Sequence, residues 1–366
     1  VQTQIPVDLL PVDGRFGSGP AKVRPDALDY LAIRGDVMGT SHRQAPVRDL
    51  VRVVQESLAE LYRIPDGYEV VLGNGGSTLF WDMAVSSLIE KRSAHGVFGE
   101  FSRKFAKAAE RAPHLEAPVV AEAEAGKVAV PSAVDGVDVY AWAQNETSTG
   151  AAAPVSRVGD GLVLIDATSA AGGMDAPIGD TDVYYFAPQK NFSSDGGLWL
   201  AFASPAAIER AERIKASGRW LPESLDFTVA VKNSRQHQTL NTPALATLLL
   251  LEDQLGWMLE LGGIEAVAER CRESTSILYR WAEARDFASP FVAEPGDRSP
   301  VVATIDLADD VDAARVISIL RENGIVDVDP YRALKRNQLR VGCYASVDPS
   351  DVEALTACLD YVIDAR

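Results

Sequence analysis

Two uninterrupted apolar runs, 183–186 (VYYF) and 198–202 (LWLAF), flank a single lysine in the stretch VYYFAPQKNFSSDGGLWLAF. Runs of this composition read as buried strands, and Gly196 with Gly197 turns the chain between them. Lys190, at the mouth of this hairpin-like unit, is desolvated. Its pKa is therefore expected to fall, making free amine accessible as a Schiff-base lysine requires. A lysine can also pack its stem on a sheet and reach water with its ammonium. Taken alone, the residue favours the second reading, because functional lysines are rare; what reverses this lies upstream.

The layers around the two strands are supplied by the rest of the sequence. Strands and helices alternate through most of it, the pattern of an α/β domain with a largely parallel sheet. Val47, Leu50, Val51, Val54, Leu58 and Leu61 fall on one face of a helix. A strand at 69–72, a glycine turn and an apolar helix over 77–89 follow. Further strands are expected at 97–98, 118–121, 139–143 and 162–165. Ser204 and Pro205 supply an N-cap and an N1 proline for a helix to Ala216. AEAEAG at 121–126 reads as a solvated turn.

From Pro243 a long helix runs to about Leu261 and stops at Gly262-Gly263, a left-handed C-cap. A helix carrying Ile264, Val267, Cys271, Leu278 and Ala282 comes next. A strand at 301–307, a helix at 311–323, a strand at 339–343 and a final helix capped by Asp348 and Pro349 complete the chain. This β–α–β–α set predicts a smaller second domain over 256–366, after a large domain over 1–255 whose first 20 residues can pack with the small one.

A length of 366 residues suits two such domains, each with its own core. With 35 Lys and Arg against 52 Asp and Glu, the net charge of −17 gives a field that repels nucleic acid and anionic membrane. Any anionic ligand then needs a local cationic cluster. Cys271, Cys343 and Cys358 are widely spaced and odd in number, which reads as free thiols in a reducing cytoplasm. Four scattered histidines argue against a metal site. The stretch VQTQIPVDLLPVDGR lacks the basic and apolar regions of a signal peptide, and no apolar run approaches bilayer-spanning length.

Four signals carry chemistry, in order. LGNGGSTLFWD (72–82) is a strand, a glycine turn and a helix start, where the amides of Gly75, Gly76, Ser77 and Thr78 would form an anion nest. A glycine-tightened β–α turn explains the same window. In AWAQNETSTG (141–150) a strand ends in a polar loop whose Asn145, Thr147 and Ser148 face a ligand or form a turn. In GLVLIDATSAAGG (161–173) Asp166 closes an apolar run, where a lone carboxylate is costly unless partnered. Lys190 follows 24 residues later. A nest, a strand-end aspartate and a strand-end lysine together suit pyridoxal 5′-phosphate: anion site, partner of the protonated pyridine nitrogen, and imine-forming amine.

With FGSGPAKV (16–23), SHRQAP (41–46), GNGGST, QNETSTG, DATS, APQKNF, NTPA (241–244) and DPYRALKRNQLRVG (329–342), the chain resembles the fold-type I pyridoxal-phosphate transferases. Within them it resembles the phosphoserine aminotransferase family, through the SHR, NET-x-x-G and QKN elements in that order. The resemblance covers nearly the whole chain. It implies a large domain with a mainly parallel seven-stranded sheet and a smaller α/β C-terminal domain. It makes Lys190 the Schiff-base lysine and proton shuttle and Asp166 the pyridine partner, with Thr147 on the ring hydroxyl. It puts Gly76, Ser77 and Gln189 on the cofactor phosphate and Phe101 on the ring face. Asn241 and Thr242 are implied to reach the cofactor phosphate of the other subunit in a homodimer with shared sites. His42 and Arg43 are implied to enter an active site from the dimer partner. Arg340 is implied to fork onto the substrate α-carboxylate, a bidentate task that lysine does poorly. The stretch 331–340 carries Arg332, Lys335, Arg336 and Arg340 and no acid. The resemblance points to Arg332 for the distal phosphate, with Lys335 and Arg336 as substitutes, and it leaves Tyr331 without a role, since family members commonly carry His-Arg where this chain has Tyr331-Arg332.

The activity so implied is reversible amino transfer from L-glutamate to 3-phosphohydroxypyruvate in L-serine biosynthesis, open to extension into pyridoxine biosynthesis. Three rivals stand beside it. The first is an alanine–glyoxylate-type transaminase or a cysteine desulfurase-like enzyme of the same fold; the desulfurase needs a nucleophilic cysteine, whereas Cys343 looks like core. The second is a non-catalytic pyridoxal-phosphate-binding domain. The third is a dinucleotide-binding dehydrogenase, which the imperfect glycine motif disfavours.

Overall fold

A computed structural model describes residues 4–364. Its large sheet has seven strands: β1 (Glu69–Asn74), β2 (Ser93–Val97), β3 (Val119–Glu122), β4 (Val139–Ala143), β5 (Leu162–Asp166), β6 (Val183–Phe186) and β7 (Leu198–Ala203). Their order is β1-β7-β6-β5-β4-β2-β3. Only β7 runs against its neighbours, pairing antiparallel with both β1 and β6. Strands β4 to β7 are buried at every position, as sheet strands covered on both faces must be.

Helices α1 (Pro25–Ile33), α2 (Ala45–Tyr62), α3 (Ser77–Ser87), α4 (Glu100–Arg111), α5 (Pro205–Ala216), α6 (Phe227–Ser234), α7 (Leu245–Glu260), α8 (Gly263–Glu283), α9 (Ala313–Glu322) and α10 (Pro349–Asp364) complete the framework. The six apolar residues of α2 that share one face are all buried, packed under β5 to β7 with α7. Helices α3, α4 and α6 cover the other face. Ser204 caps α5 by accepting from the Ala207 amide at 3.1 Å, with Pro205 at the first helical position.

A second core forms around strands β8 (Ala288–Pro290), β9 (Val302–Leu307) and β10 (Gln338–Gly342), an antiparallel sheet in that order. Ile5 and Phe16 pack into it beside α9 and α10. Helix α8 serves both cores: Ile264, Val267 and Cys271 lie in the first, and Leu278, Trp281 and Ala282 in the second. No helix among the described residues is long and apolar enough to cross a membrane.

Two sequence expectations need correction, and one strand was not foreseen. The strand expected at 97–98 is β2, four residues earlier. It reads SAHGV because His95 is buried with its ring nitrogen on Ser93 Oγ at 2.9 Å, and burial pushes its pKa down to about 3. AEAEAG opens inside the edge strand β3, whose residues alternate between partly buried and exposed, and only its second half is the expected turn, closed by the Lys127 amide on the Glu124 carbonyl at 3.0 Å. The short edge strand β8 ends in a proline and carries no alternating pattern to reveal it.

Candidate active site

The carboxyl ends of the parallel strands gather the chemical groups, as in other open α/β sheets. Asp166 closes β5 opposite Tyr185 of β6, and Lys190 sits four residues beyond the end of β6. The Lys190 amine donates to the Ser18 carbonyl at 2.8 Å, and that carbonyl also accepts the Tyr344 hydroxyl at 2.7 Å. A Cβ on Gly19 would displace Lys190 Nζ from its place, and the φ of +139° is one that side chains rarely adopt, so both favour glycine here. Burial, reinforced by the Arg340 charge and opposed by Asp166, pushes the Lys190 amine down to about 8. The apolar runs on either side of Lys190 predict this depression.

Asp166 is 7 % exposed and held by three donors. Thr168 gives its amide at 3.0 Å and its hydroxyl at 2.5 Å to Oδ1, and Trp81 gives its indole N–H at 3.0 Å to Oδ2. Burial pushes the carboxyl pKa up, and these donors work against that rise.

The anion nest is narrower than the glycine pattern implies. The Gly75 amide is committed to the Gly197 carbonyl at 2.9 Å. Gly76 caps α3, and the amides of Gly76, Ser77 and Thr78 begin that helix, where no intrahelical acceptor exists. Ser77 Oγ shares a 2.6 Å hydrogen bond with Thr168 Oγ1, tying the nest to the group that holds Asp166.

Glu146, the middle residue of NET, is fully buried and organises the opposite wall. Its carboxylate accepts the amides of Phe101 at 3.2 Å and Ser102 at 2.9 Å, the Ser102 hydroxyl at 2.8 Å and the Ser148 hydroxyl at 2.7 Å. It thereby satisfies the free amides at the start of α4 and anchors Phe101. A side chain on Gly99 would collide with it. Thr147, its neighbour, donates to Ser169 Oγ at 2.8 Å.

Gly76, Ser77, Phe101, Thr147, Asp166, Gln189 and Lys190 thus line one cavity of about 340 Å³, with Gly19, Trp81, Asn145, Thr168 and Ser169 among its other walls. This lies within the ~300–1,000 Å³ of small-molecule pockets. Arg340 meets the cavity at Thr147, donating from Nη1 to the Thr147 carbonyl at 3.2 Å, with its guanidinium 5.3 Å from the Tyr331 ring centroid. Tyr331 in turn stands 6.0 Å from the Phe101 ring. Gln189 Oε1, Asn145 Oδ1 and Arg340 Nε are buried without hydrogen-bond partners, unused polar atoms at a cavity that also has free amides and a depressed amine. This donor set fits pyridoxal phosphate, with an anion site, a carboxylate, an amine and an aromatic face.

The basic stretch divides. Arg336 is paired with Asp306 through Nε at 3.1 Å, which takes it out of contention for a substrate phosphate. Arg332 and Lys335 are exposed and form no ion pair among the described residues. Away from the cavity, His42 Nδ1 meets Thr242 Oγ1 at 3.2 Å, Asn241 donates its amide to Asn74 Oδ1 at 3.3 Å, and Arg43 reaches Gln238 Oε1 at 3.4 Å. These four residues form their own patch and line no part of their own chain's Lys190 cavity.

Thr168, Ser169, Gly19, Glu146 and Trp81 all lie inside the motifs quoted from the sequence, which assigned none of them a role. The signal for Trp81 was its place one helical turn after Ser77, on the face that follows the nest. The cysteines carry no nucleophilic role: all three are buried, and burial pushes the Cys271 thiol up to about 12 and Cys358 to about 11.

No protein-family model matches the chain. A putative phosphoserine aminotransferase of Mycolicibacterium vanbaalenii is 57 % identical over 364 residues, covering 99 % of this chain and 98 % of its own. A phosphoserine aminotransferase of a Nocardioides species is 57 % identical over 367 residues with the same coverage. The crystal structure of a phosphoserine aminotransferase from Cytophaga hutchinsonii superposes with a TM-score of 0.88 at 21 % identity, over 95 % of this chain and 99 % of that one.

Proposed function

Because the chain belongs to the phosphoserine aminotransferase family, we propose that it moves an amino group reversibly between L-glutamate and 3-phosphohydroxypyruvate, giving O-phospho-L-serine and 2-oxoglutarate, with pyridoxal phosphate as cofactor. The observation that carries this reading is a lysine amine pushed down to about 8 in one cavity with a three-donor carboxylate and a helix-start anion site.

When bound, pyridoxal phosphate supplies the electrophilic carbon and electron sink that side chains lack. Gly76, Ser77 and Gln189 would hold its phosphate at the positive end of α3. Phe101 would face the ring, Thr147 would bond the ring hydroxyl, and Asp166 would keep a proton on the ring nitrogen. Lys190 Nζ would take the proton from the amino acid's α-carbon and return it. An amine with pKa about 8 is free in a substantial fraction near neutral pH, which suits this work. Arg340 would bind the α-carboxylate through its buried, unpartnered Nε together with Nη2, while Nη1 stays on the Thr147 carbonyl.

We assign His42, Arg43, Asn241 and Thr242 to the site of a second subunit in a homodimer. Support comes from their gathering into one patch that their own cavity does not use. Arg332 takes the distal phosphate, with Lys335 as the remaining substitute.

An absorbance spectrum tests the core of the proposal. The purified protein loaded with pyridoxal phosphate is expected to be yellow, to bleach with glutamate and to recover with 3-phosphohydroxypyruvate. A colourless protein that cannot be loaded would overturn it.

A further inference from the structure

We propose that Trp81 is a positioning residue for Asp166, its indole N–H fixing which carboxylate oxygen, and which lone pair, is offered to the cavity. The inference rests on the cofactor reading above and gives a role to a motif residue that had none.

Trp81 lies on α3 one turn beyond Ser77, 4 % exposed, with its ring stacked on Phe105 at 6.3 Å and 13° between planes. Its N–H therefore has a fixed direction and meets Oδ2 at 3.0 Å, while Thr168 occupies Oδ1 twice. Turning the carboxylate would break all three bonds at once. Tyr185, on the neighbouring strand, keeps its buried hydroxyl outside good hydrogen-bond geometry and lowers the Asp166 pKa less than Thr168 and Trp81 do, so the strand side does not take over the task of Trp81. The titratable groups that face Asp166 are Tyr185 and Lys190. A donor to the carboxylate lowers its basicity. With Trp81 in place, the proton between Asp166 and a ring nitrogen stays on the nitrogen. Without it, the proton shifts toward Oδ2 and the ring loses its pull on electrons. The helix that supplies the phosphate nest thus also supplies the donor that sets the opposite end of the ring.

Trp81→Phe keeps the ring packing and removes only the N–H. It is expected to lower kcat about 10–100-fold, the worth of one hydrogen bond to a charged group, with KM for glutamate changed less than about threefold. In an Asp166→Asn background the same substitution is expected to cost less than about twofold, because its effect passes through the carboxylate. Without cofactor, carbon NMR of the full chain is expected to show the Asp166 carboxyl titrating about one pH unit or more higher in Trp81→Phe. Should that variant not fold, the wild-type indole N–H signal of Trp81 serves alone, since it is expected to shift with the Asp166 titration. Additive losses in the double variant, an unmoved carboxyl titration in the folded variant or an indole signal indifferent to it would each overturn the inference. A wild-type protein that cannot be loaded with pyridoxal phosphate would instead overturn the cofactor reading, and the NMR result would still stand.

Discussion

The Lys190 cavity and the His42–Thr242 patch are held in opposite ways. In the cavity, Asp166, Thr147 and Ser77 are nearly inaccessible and bonded at 2.5–3.0 Å within one chain. In the patch, Arg43, Asn241 and Thr242 are exposed, and the contacts of the four residues are 3.2–3.4 Å long. Folding alone has already ordered the first set, so no further entropy is lost there during reaction. The second set is finished on its own chain only loosely, as groups that meet a surface arriving from elsewhere would be. In the proposed homodimer, proton transfer is built into the protomer, while part of substrate recognition is left to assembly.

The sharpest way to break this contrast is Lys190→Ala. Turnover is expected to fall by at least ~10²–10⁴-fold with circular dichroism unchanged, and activity near wild type would remove the cavity from the chemistry. Arg43→Ala tests the patch: KM for the phosphorylated keto acid is expected to rise about 10–100-fold, as for a lost charge-assisted contact. If the patch serves a second subunit, refolding Lys190→Ala together with Arg43→Ala should return about a quarter of wild-type activity, since half the dimers then carry one intact site. No recovery on mixing would confine each site to one chain.

Stability measurements sharpen the contrast further. The Lys190 amine titrates near 8 when folded against an ordinary value of 10.5. Between those values the unfolded chain binds more protons, so stability rises with pH across that window, by on the order of 2–3 kcal/mol. Below pH 8 the buried cation is a fixed penalty. Lys190→Met in the cofactor-free chain is therefore expected to have a higher urea midpoint than wild type at pH 7 and to lose the alkaline rise. A variant no more stable at pH 7 would mean the amine is not desolvated. The smallest effect concerns Glu146→Gln, which keeps the shape but weakens bonds to charge. It is expected to cost about 1–3 kcal/mol and to loosen cofactor binding by freeing Phe101, whereas Arg43→Ala leaves the midpoint unmoved.

Much of the sheet was legible because its central strands are apolar without interruption, as at 162–165 and 198–202, and because α2 repeats its apolar face at helical spacing. What stayed hidden carries no such pattern. Strand β2 contains a serine, a histidine and a glycine whose polarity is answered by local bonding and close packing, and β8 is three residues long. At the site, Lys190 and Asp166 stand at strand ends, where chain order alone suggests that they meet. Trp81 and Glu146 act through partners 85 and 44 residues away, and no window of sequence holds both members of such a pair. The nest was overread for a related reason: the carbonyl that takes the Gly75 amide belongs to Gly197, beyond Lys190.

The carbonyl of Ser18 that receives the Lys190 amine also receives Tyr344, 326 residues later. Around it, Phe16 donates its amide to Val326, Gly342 donates to Phe16, and Asp13 donates its amide to Asp351. This strap is thus fastened by residues 326 and 338 positions further along the chain. Contacts of such separation carry a large loop-closure cost and form late in folding. Until they close, the Lys190 amine lacks its acceptor, so the reactive centre is completed by the longest loops of the fold rather than by its own neighbourhood.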